Sequence, residues 1–331
     1  ENIDPVGVHT GDSAVVAPIM TLSDADMKML NDSAIKLIRA LKIQGGCNVQ
    51  FALDPNSSKY YLIEINPRVS RSSALASKAS GYPIASVTAK VAVGMTLDEI
   101  AVGGTTAAKE PSLDYVVAKL PRFAFDKFPD SSNVLGTQMK ATGEVMGIGS
   151  DFEECLLKSV RSLEVGADHH RLQKFDGWTR DELFGYIKSF RSDTLFVCAQ
   201  LLRLGASVGE LHDATMITPF FLEKLHGIVC MENELREHPG DGPLLARAKR
   251  MGFSDPCIAR LWSVSEAEVF AQRESLGLFP AFRMVDTLHS GAYIPYFYST
   301  SAEGLESQSR VSDRRKAIVL GAGPIRIGQG V

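Results

Sequence analysis

The chain opens on a stretch without regular periodicity, residues 1–22, and then sets a helical pattern. Ser23-Asp-Ala-Asp26 reads as a helix start. Met27, Leu30, Ala34, Ile38 and Leu41 follow at helical spacing, and the pattern stops at Gly45-Gly46. The period then changes to two. Val49, Phe51 and Leu53 share one face of a first run, and Tyr61, Ile63 and Ile65 share one face of a second. Between them lies Asp54-Pro-Asn-Ser-Ser-Lys59, a turn sequence, so the stretch predicts two antiparallel strands and a hairpin. With the turn centred near Ser57, Gln50 lies opposite Glu64. The pleat puts Asn66 on that same face, two residues on.

Further along, Ser72–Ser80 is alanine-rich and predicts a helix stopped by Gly81. Pro83 marks the next helix start, with Ile84, Val87 and Val91 as its apolar stripe before Gly94. Thr96-Leu-Asp-Glu99 fits a capping box. Residues 115–120 and 143–148 read as strands, and Ser150-Asp-Phe-Glu153 as a second capping box opening a helix to about Leu163. Mixed elements to this point predict an α+β domain.

After Gly166 the strand signal disappears. Thr179-Arg-Asp-Glu182 and Ser265-Glu-Ala-Glu268 are capping boxes, and Thr218-Pro219 is a cap followed by proline in the first turn. Leu183, Ile187 and Phe190 are spaced for one helix face; Phe221, Leu225, Ile228 and Leu235 for another. About six short helices of an all-α domain are expected between Thr179 and Leu276. The His169-His170 pair and the dispersed lysines and arginines read as surface. Residues 280–298 are aromatic and aperiodic, a return segment, and 299–316 form a polar linker. Ala317–Leu320 predicts a short strand running into a glycine-rich loop, the opening of a nucleotide-binding βα unit. Pro324 within the loop and the missing acidic residue make a dinucleotide fingerprint, and hence a dehydrogenase, the weakest reading.

A length of 331 residues predicts two domains or slightly more, and 45% hydrophobic content is ample for their cores. A net charge of −4 supplies no basic field, which argues against nucleic acid as a partner. The five cysteines are scattered without C-x-x-C spacing, which argues against a disulfide framework or a zinc site and fits a reducing cytoplasm. No apolar run is long enough for a membrane span. Glu1 in place of an initiator methionine, and a glycine-rich run just before Val331, give the expectation that both ends are cut.

These bounds leave the hairpin as the candidate site. One carboxylate (Glu64) and two amides (Gln50, Asn66) converge as hard oxygen donors, and Arg68 and Arg71 follow where the chain leaves the strand. Taken alone, such a face reads as solvated. Oxygen ligands beside arginines are also what a magnesium-bound, phosphate-handling site requires. Gly7-Val-His-Thr-Gly-Asp-Ser13 offers a second candidate, with His9 open to a structural or a ligand-edge role.

Glu64-Ile-Asn-Pro-Arg68-Val-Ser-Arg71-Ser-Ser-Ala-Leu-Ala-Ser-Lys-Ala, together with Gln50, resembles the large subunit of carbamoyl phosphate synthetase, in the later part of its first ATP-grasp half. Gly7–Ser13, Asp114–Phe123, Thr137-Gln-Met-Lys, Gly143-Glu-Val-Met, Arg283-Met-Val-Asp-Thr and the Val319–Gly330 run extend the likeness end to end. The resemblance implies an α+β ATP-grasp C-terminal portion over residues 1–166 and an all-α helical oligomerisation domain over 167–315. Residues 316–331 would be the first strand and glycine-rich loop of the second synthetase half. It also implies site roles. Gln50, Glu64 and Asn66 would be ligands of Mg2+ or Mn2+, with Gln50 and Glu64 also facing ATP. Gly7, Val8 and His9 would border the nucleotide, and Arg68 and Arg71 would be the catalytic arginines near bicarbonate.

The implied activity is ATP-dependent phosphorylation of bicarbonate to carboxyphosphate, on the way to carbamoyl phosphate for arginine or pyrimidine biosynthesis. K+ would be a further ion, a glutamine amidotransferase small subunit a partner, and the helical domain a route to homo-oligomers. The chain alone would be inactive. Another carboxylate-activating ATP-grasp enzyme, such as a biotin carboxylase, and a bare oligomerisation module are the alternatives.

Overall fold

The computed structural model describes residues 1–321, 325 and 327. In chain order its elements are strand β1 (Val15–Ala17), helix α1 (Asp24–Ala40), strands β2 (Asn48–Leu53) and β3 (Tyr60–Asn66), and helices α2 (Arg71–Ser80) and α3 (Ile84–Ala92). Short strands β4 (Ala101–Val102) and β5 (Thr105–Thr106) lead to β6 (Val116–Arg122), β7 (Gly143–Gly149) and helix α4 (Phe152–Ser162). Then come helices α5 (Arg180–Ile187), α6 (Thr194–Arg203), α7 (Val208–Thr215), α8 (Pro219–Glu237), α9 (Gly242–Arg250), α10 (Asp255–Trp262) and α11 (Glu266–Ser275). Strands β8 (Ala281–Met284) and β9 (Phe297–Thr300) close the series.

The chain divides into two compact units. One comprises residues 1–18, 115–283 and 298–331; the other comprises 19–114 and 284–297. The compact units therefore do not part at residue 166. The strands after residue 115 and the helices after 180 share one unit.

In the larger unit β1, β6 and β7 form an antiparallel sheet in the order β1-β6-β7. Its register runs from Val116↔Gly149 to Arg122↔Gly143. α4 packs against β6 and β7 of this sheet, with Phe152, Cys155, Leu156, Leu157 and Val160 buried along it. Close approach is allowed by Gly147: a Cβ there would stand 2.5 Å from the Cys155 carbonyl oxygen. Asp151 caps the helix, accepting from the Glu154 N–H at 2.8 Å, and Glu154 receives the Ser150 N–H at 2.7 Å. The expected box of Ser150 with Glu153 is thus shifted one residue along. Glu153 instead meets Lys224 at 3.1 Å.

The helical part follows its caps. Thr179/Glu182 and Ser265/Glu268 form reciprocal boxes as expected, and α8 starts at Pro219 behind Thr218. Ser207/Glu210 forms another, opening α7. Phe221, Leu225, Ile228 and Leu235 are buried along α8. Leu183 and Ile187 are buried on α5, but Phe190 lies beyond the end of that helix and packs with Phe123, Leu135 and Ala141.

His169 and His170, expected at the surface, are 3% and 1% exposed. His169 sits between two acids, with Nδ1 3.0 Å from Asp168 and Nε2 3.4 Å from Glu232. His170 lies against Phe196, ring centroids 5.6 Å apart. Glu232 from α8 and Phe196 from α6, with the adjacent Asp168, surround the two rings inside the fold.

The smaller unit carries the β2–β3 hairpin, the β4–β5 ribbon and α1–α3. Val87, Ile100, Val102, Ala107 and Leu288 form its core, with Tyr82 and Val91 packed against them. The apolar stripe of α1 is only half-buried, and Leu41 is 57% exposed. Thr96–Glu99 closes a turn rather than a helix. Its N–H and hydroxyl both donate to the Glu99 carboxylate, at 2.9 and 3.1 Å, but the Glu99 N–H donates to the Thr96 backbone carbonyl at 3.2 Å, a turn bond, where a helix cap would offer its side-chain oxygen.

Ala317–Leu320 forms no strand, and Ile318, Val319 and Leu320 are 85%, 94% and 90% exposed. A strand exists through its ladder partner, and this segment has none among the described residues. The rest of the expected glycine-rich loop lies largely outside the described residues.

Candidate phosphate and metal site on a bulged hairpin

The hairpin places Gln50 opposite Glu64 and Asn48 opposite Asn66, the pairing the alternation predicts for the first couple. The next pair is Phe51↔Leu62, so Ile63 is an extra residue between two ladder pairs. This β-bulge reverses the faces beyond it. Tyr61, opposite Ala52, therefore stands on the side of Glu64, whereas Ile65 stands on the other. The expectation that Tyr61, Ile63 and Ile65 share one face is corrected accordingly. A period-two count cannot register an inserted residue, but Glu64 and Asn66 keep a common face because both lie on the same side of the insertion.

On the polar face the side chains converge on one oxygen. Gln50 Nε2 and Asn66 Nδ2 each donate to Glu64 Oε1, at 2.8 Å. Gln50 Nε2 also donates to Asn48 Oδ1 at 3.1 Å. Asn48 is thus a fourth member of the cluster, absent from the sequence expectation. The cue was available: Asn48 precedes Gln50 by two, the strand period that also links Glu64 to Asn66. The strand that carries Glu64 is exposed from Tyr60 to Glu64, which leaves the carboxylate accessible.

The donor set tests well against a hard divalent cation. It offers one carboxylate and three side-chain amide oxygens, with no sulfur or imidazole among them. In the geometry described, the amide N–H groups satisfy the carboxylate. Rotating an amide about its last bond exchanges nitrogen for oxygen and turns the same side chain into a ligand. Beyond Asn66 the chain tightens, the Arg68 N–H donating to the Asn66 carbonyl at 2.9 Å. Arg71 opens α2, and both arginines are exposed. Ser70 is the cap, its N–H donating to Ser73 Oγ at 3.2 Å. A helix start with its orphan N–H groups beside two guanidiniums favours an anion.

Gly7, Val8 and His9 belong to the larger unit, whereas the hairpin belongs to the smaller. Gly7 has φ +112°, a conformation open to glycine. The His9 N–H donates to the Gly136 carbonyl at 2.8 Å, and His9 Nδ1 accepts from the Gly11 N–H at 2.9 Å. A ring nitrogen that accepts carries no proton, so the neutral ring presents an Nε2–H donor. Asp12 anchors the loop, accepting from the Lys140 N–H at 2.8 Å and the Ala141 N–H at 2.7 Å. Asp4 accepts from the Ala14 N–H at 2.7 Å.

A second cluster gathers Asp168, His169 and Cys257, whose ligand atoms lie within 4.8 Å of one another. Here the Arg260 guanidinium already fills the cationic role, donating to both Asp168 oxygens at 2.8 and 3.0 Å. Burial pushes the Asp168 carboxyl up, but hydrogen bonds from His169 and Arg260 outweigh it and hold it below the usual range. Burial also pushes the Cys257 thiol up to about 12, which keeps it neutral. The cluster is an ion-pair network.

Two family models match the chain. Residues 1–100 match the ATP binding domain of the carbamoyl-phosphate synthase L chain, and residues 144–277 match the oligomerisation domain of the carbamoyl-phosphate synthetase large chain. Together they span more than half of the chain. The first contains Gly7–His9 and the whole hairpin; the second begins at β7 and takes in every helix from α4 to α11.

Proposed function

Because the chain belongs to the carbamoyl-phosphate synthase large-chain family, we propose that its hairpin forms one wall of an ATP site at which bicarbonate is phosphorylated to carboxyphosphate. The convergence of Gln50 and Asn66 on Glu64 Oε1 carries this reading. Ammonia from a glutamine amidotransferase subunit would then give carbamate, on the way to carbamoyl phosphate in the cytoplasm. Arginine or pyrimidine biosynthesis would be the destination. Residues 1–166, 167–315 and 316–331 are kept as the family's domains, distinct from the compact units.

The chemical problem is electrostatic. Bicarbonate is a weak, negatively charged nucleophile and must approach an anionic γ-phosphate. Catalysis here is charge neutralisation and alignment. A magnesium or manganese ion at Gln50, Glu64 and Asn66 supplies neutralisation of the phosphate oxygens when bound. One carboxylate with neutral amides leaves such an ion more electropositive than three carboxylates would. Arg68 and Arg71 hold bicarbonate and the equatorial oxygens of the transferred group, aided by the N–H groups at the start of α2. An arginine acting on a transferring phosphoryl group is worth on the order of 10³-fold in rate. His9 offers its Nε2–H to a ribose hydroxyl.

Glu64→Gln in the complete large subunit is expected to abolish bicarbonate-dependent ATP hydrolysis with circular dichroism unchanged. The residue is exposed and its amide replacement keeps the shape, so folding is spared. Near-normal hydrolysis by this variant would end the assignment.

A further inference from the structure

α8 carries an imidazole–thiol pair that the chemistry above does not use. His226 and Cys230 stand one turn apart, both exposed, with His226 Nε2 3.5 Å from Cys230 Sγ. Residues four apart on a helix are always neighbours, but this separation has a specific size. An ion bonded to sulfur at about 2.3 Å and to nitrogen at about 2.0 Å, with a tetrahedral angle between them, sets the two atoms roughly 3.5 Å apart. The pair already holds that bite. Imidazole nitrogen and thiolate sulfur select zinc-class ions, unlike the oxygen donors of the hairpin.

Two donors fill half of a tetrahedron. Structural zinc sites take four protein ligands, and among the described residues no further His, Cys, Asp or Glu joins this pair, so the site is incomplete within one chain. The missing half is available from a second copy. α8 lies inside the segment matched to the family's oligomerisation domain. Gly227, beside His226, carries no side chain, and nothing lies within 4 Å of where its Cβ would stand, so a facing helix can come close. A twofold contact brings the same patch of each copy together, and hence the same two donors.

We propose that His226 and Cys230 from two copies of this chain bind one zinc-class divalent cation, bridging α8 to α8. Four bonds form, two from Nε2 and two from Sγ. Each thiol releases its proton to solvent as its metal bond forms, so two thiolates balance the divalent charge and no redox change occurs. Because protons compete with the metal, the bridge loosens as pH falls.

The test uses Co2+ as the spectroscopic probe, added to the reduced, EDTA-treated chain, with mass followed by light scattering. Thiolate-to-cobalt charge-transfer and tetrahedral d–d bands are expected to rise to one cobalt per two chains. Mass should double relative to the EDTA-treated sample. Cys230→Ser should remove both signals, and His226→Ala should weaken cobalt binding at least tenfold. Both side chains are exposed, and unchanged thermal unfolding of the metal-free variants checks that folding is intact. A missing charge-transfer band would overturn the proposal. So would a band that persists in Cys230→Ser, or one cobalt per chain without a gain in mass.

Discussion

Burial pushes the carboxyl of Asp4 up to about 7, against the pull of the Ala14 N–H and of Lys119. His170 moves the other way: burial, then the nearby His169 and Arg203, push its ring down to about 3. The two residues line one small cavity of the larger unit, and their linkages to stability have opposite signs. Folded Asp4 keeps a proton that the unfolded chain releases near pH 4, so its penalty grows as pH rises from about 4 to about 7. Folded His170 refuses a proton that the unfolded chain takes near 6.5, so its penalty grows as pH falls from about 6.5 towards about 3. Asp4→Asn is therefore expected to stabilise the chain at pH 8 relative to pH 5, by a few kcal/mol at most, on the order of 1.4 per pKa unit. Urea unfolding at the two pH values measures it; an equal effect at both would contradict the burial of an ionisable Asp4. His170→Phe should flatten the acid limb. Neither ring nitrogen has a hydrogen-bond partner among the described residues, and the ring already lies against Phe196. The burial of this histidine was not legible in the sequence, since the aromatic that covers it comes from another element. The pairing of Gln50 with Glu64 was expected from a turn centred near Ser57, but counting from the end pair Leu53↔Tyr60 would set Gln50 opposite Ile63, and it is the bulge at Ile63 that brings Glu64 into place.

At the scale of elements, local chemistry speaks clearly where a few adjacent residues decide. The caps at Ser23, Thr179, Thr218 and Ser265 start helices as their sequences predict. It fails where one residue shifts the frame. Ile63 bulges the hairpin, Asp151 takes the cap expected of Ser150, and the Glu99 N–H goes to the Thr96 backbone carbonyl instead of its hydroxyl. The β7–α4 contact depends on glycine in a way the sequence does not announce. At Gly147 a methyl group would stand 2.5 Å from both the Cys155 carbonyl oxygen and Ser159 Oγ. Gly147→Ala is expected to cost about 1–3 kcal/mol through overpacking. Gly185→Ala on α5, with nothing within 4 Å of its Cβ position, should be neutral or stabilising. Urea midpoints for the pair decide it, and equal midpoints would remove the tight β7–α4 approach from the account.

For the molecule as a whole, the strands after residue 115 fold with the helices, and residues 19–114 make a unit of their own. Sequence composition could mark the change of character after Gly166. It could not tell which strands pack on which helices, because contacts across long separations leave no local trace. The match to an oligomerisation domain predicts self-association. Sedimentation of the chain at rising concentration should reveal a gain in mass, and a strict monomer throughout would remove that expectation. In the proposed function Glu64 and its amides serve transfer of the γ-phosphoryl group to bicarbonate. The most direct measurement gives ¹⁸O-labelled bicarbonate to the complete large subunit and follows the label into inorganic phosphate. The account predicts one bicarbonate oxygen delivered to phosphate by the unaltered protein and none by Glu64→Gln. Unlabelled phosphate from the unaltered protein, or undiminished transfer by the variant, would contradict it.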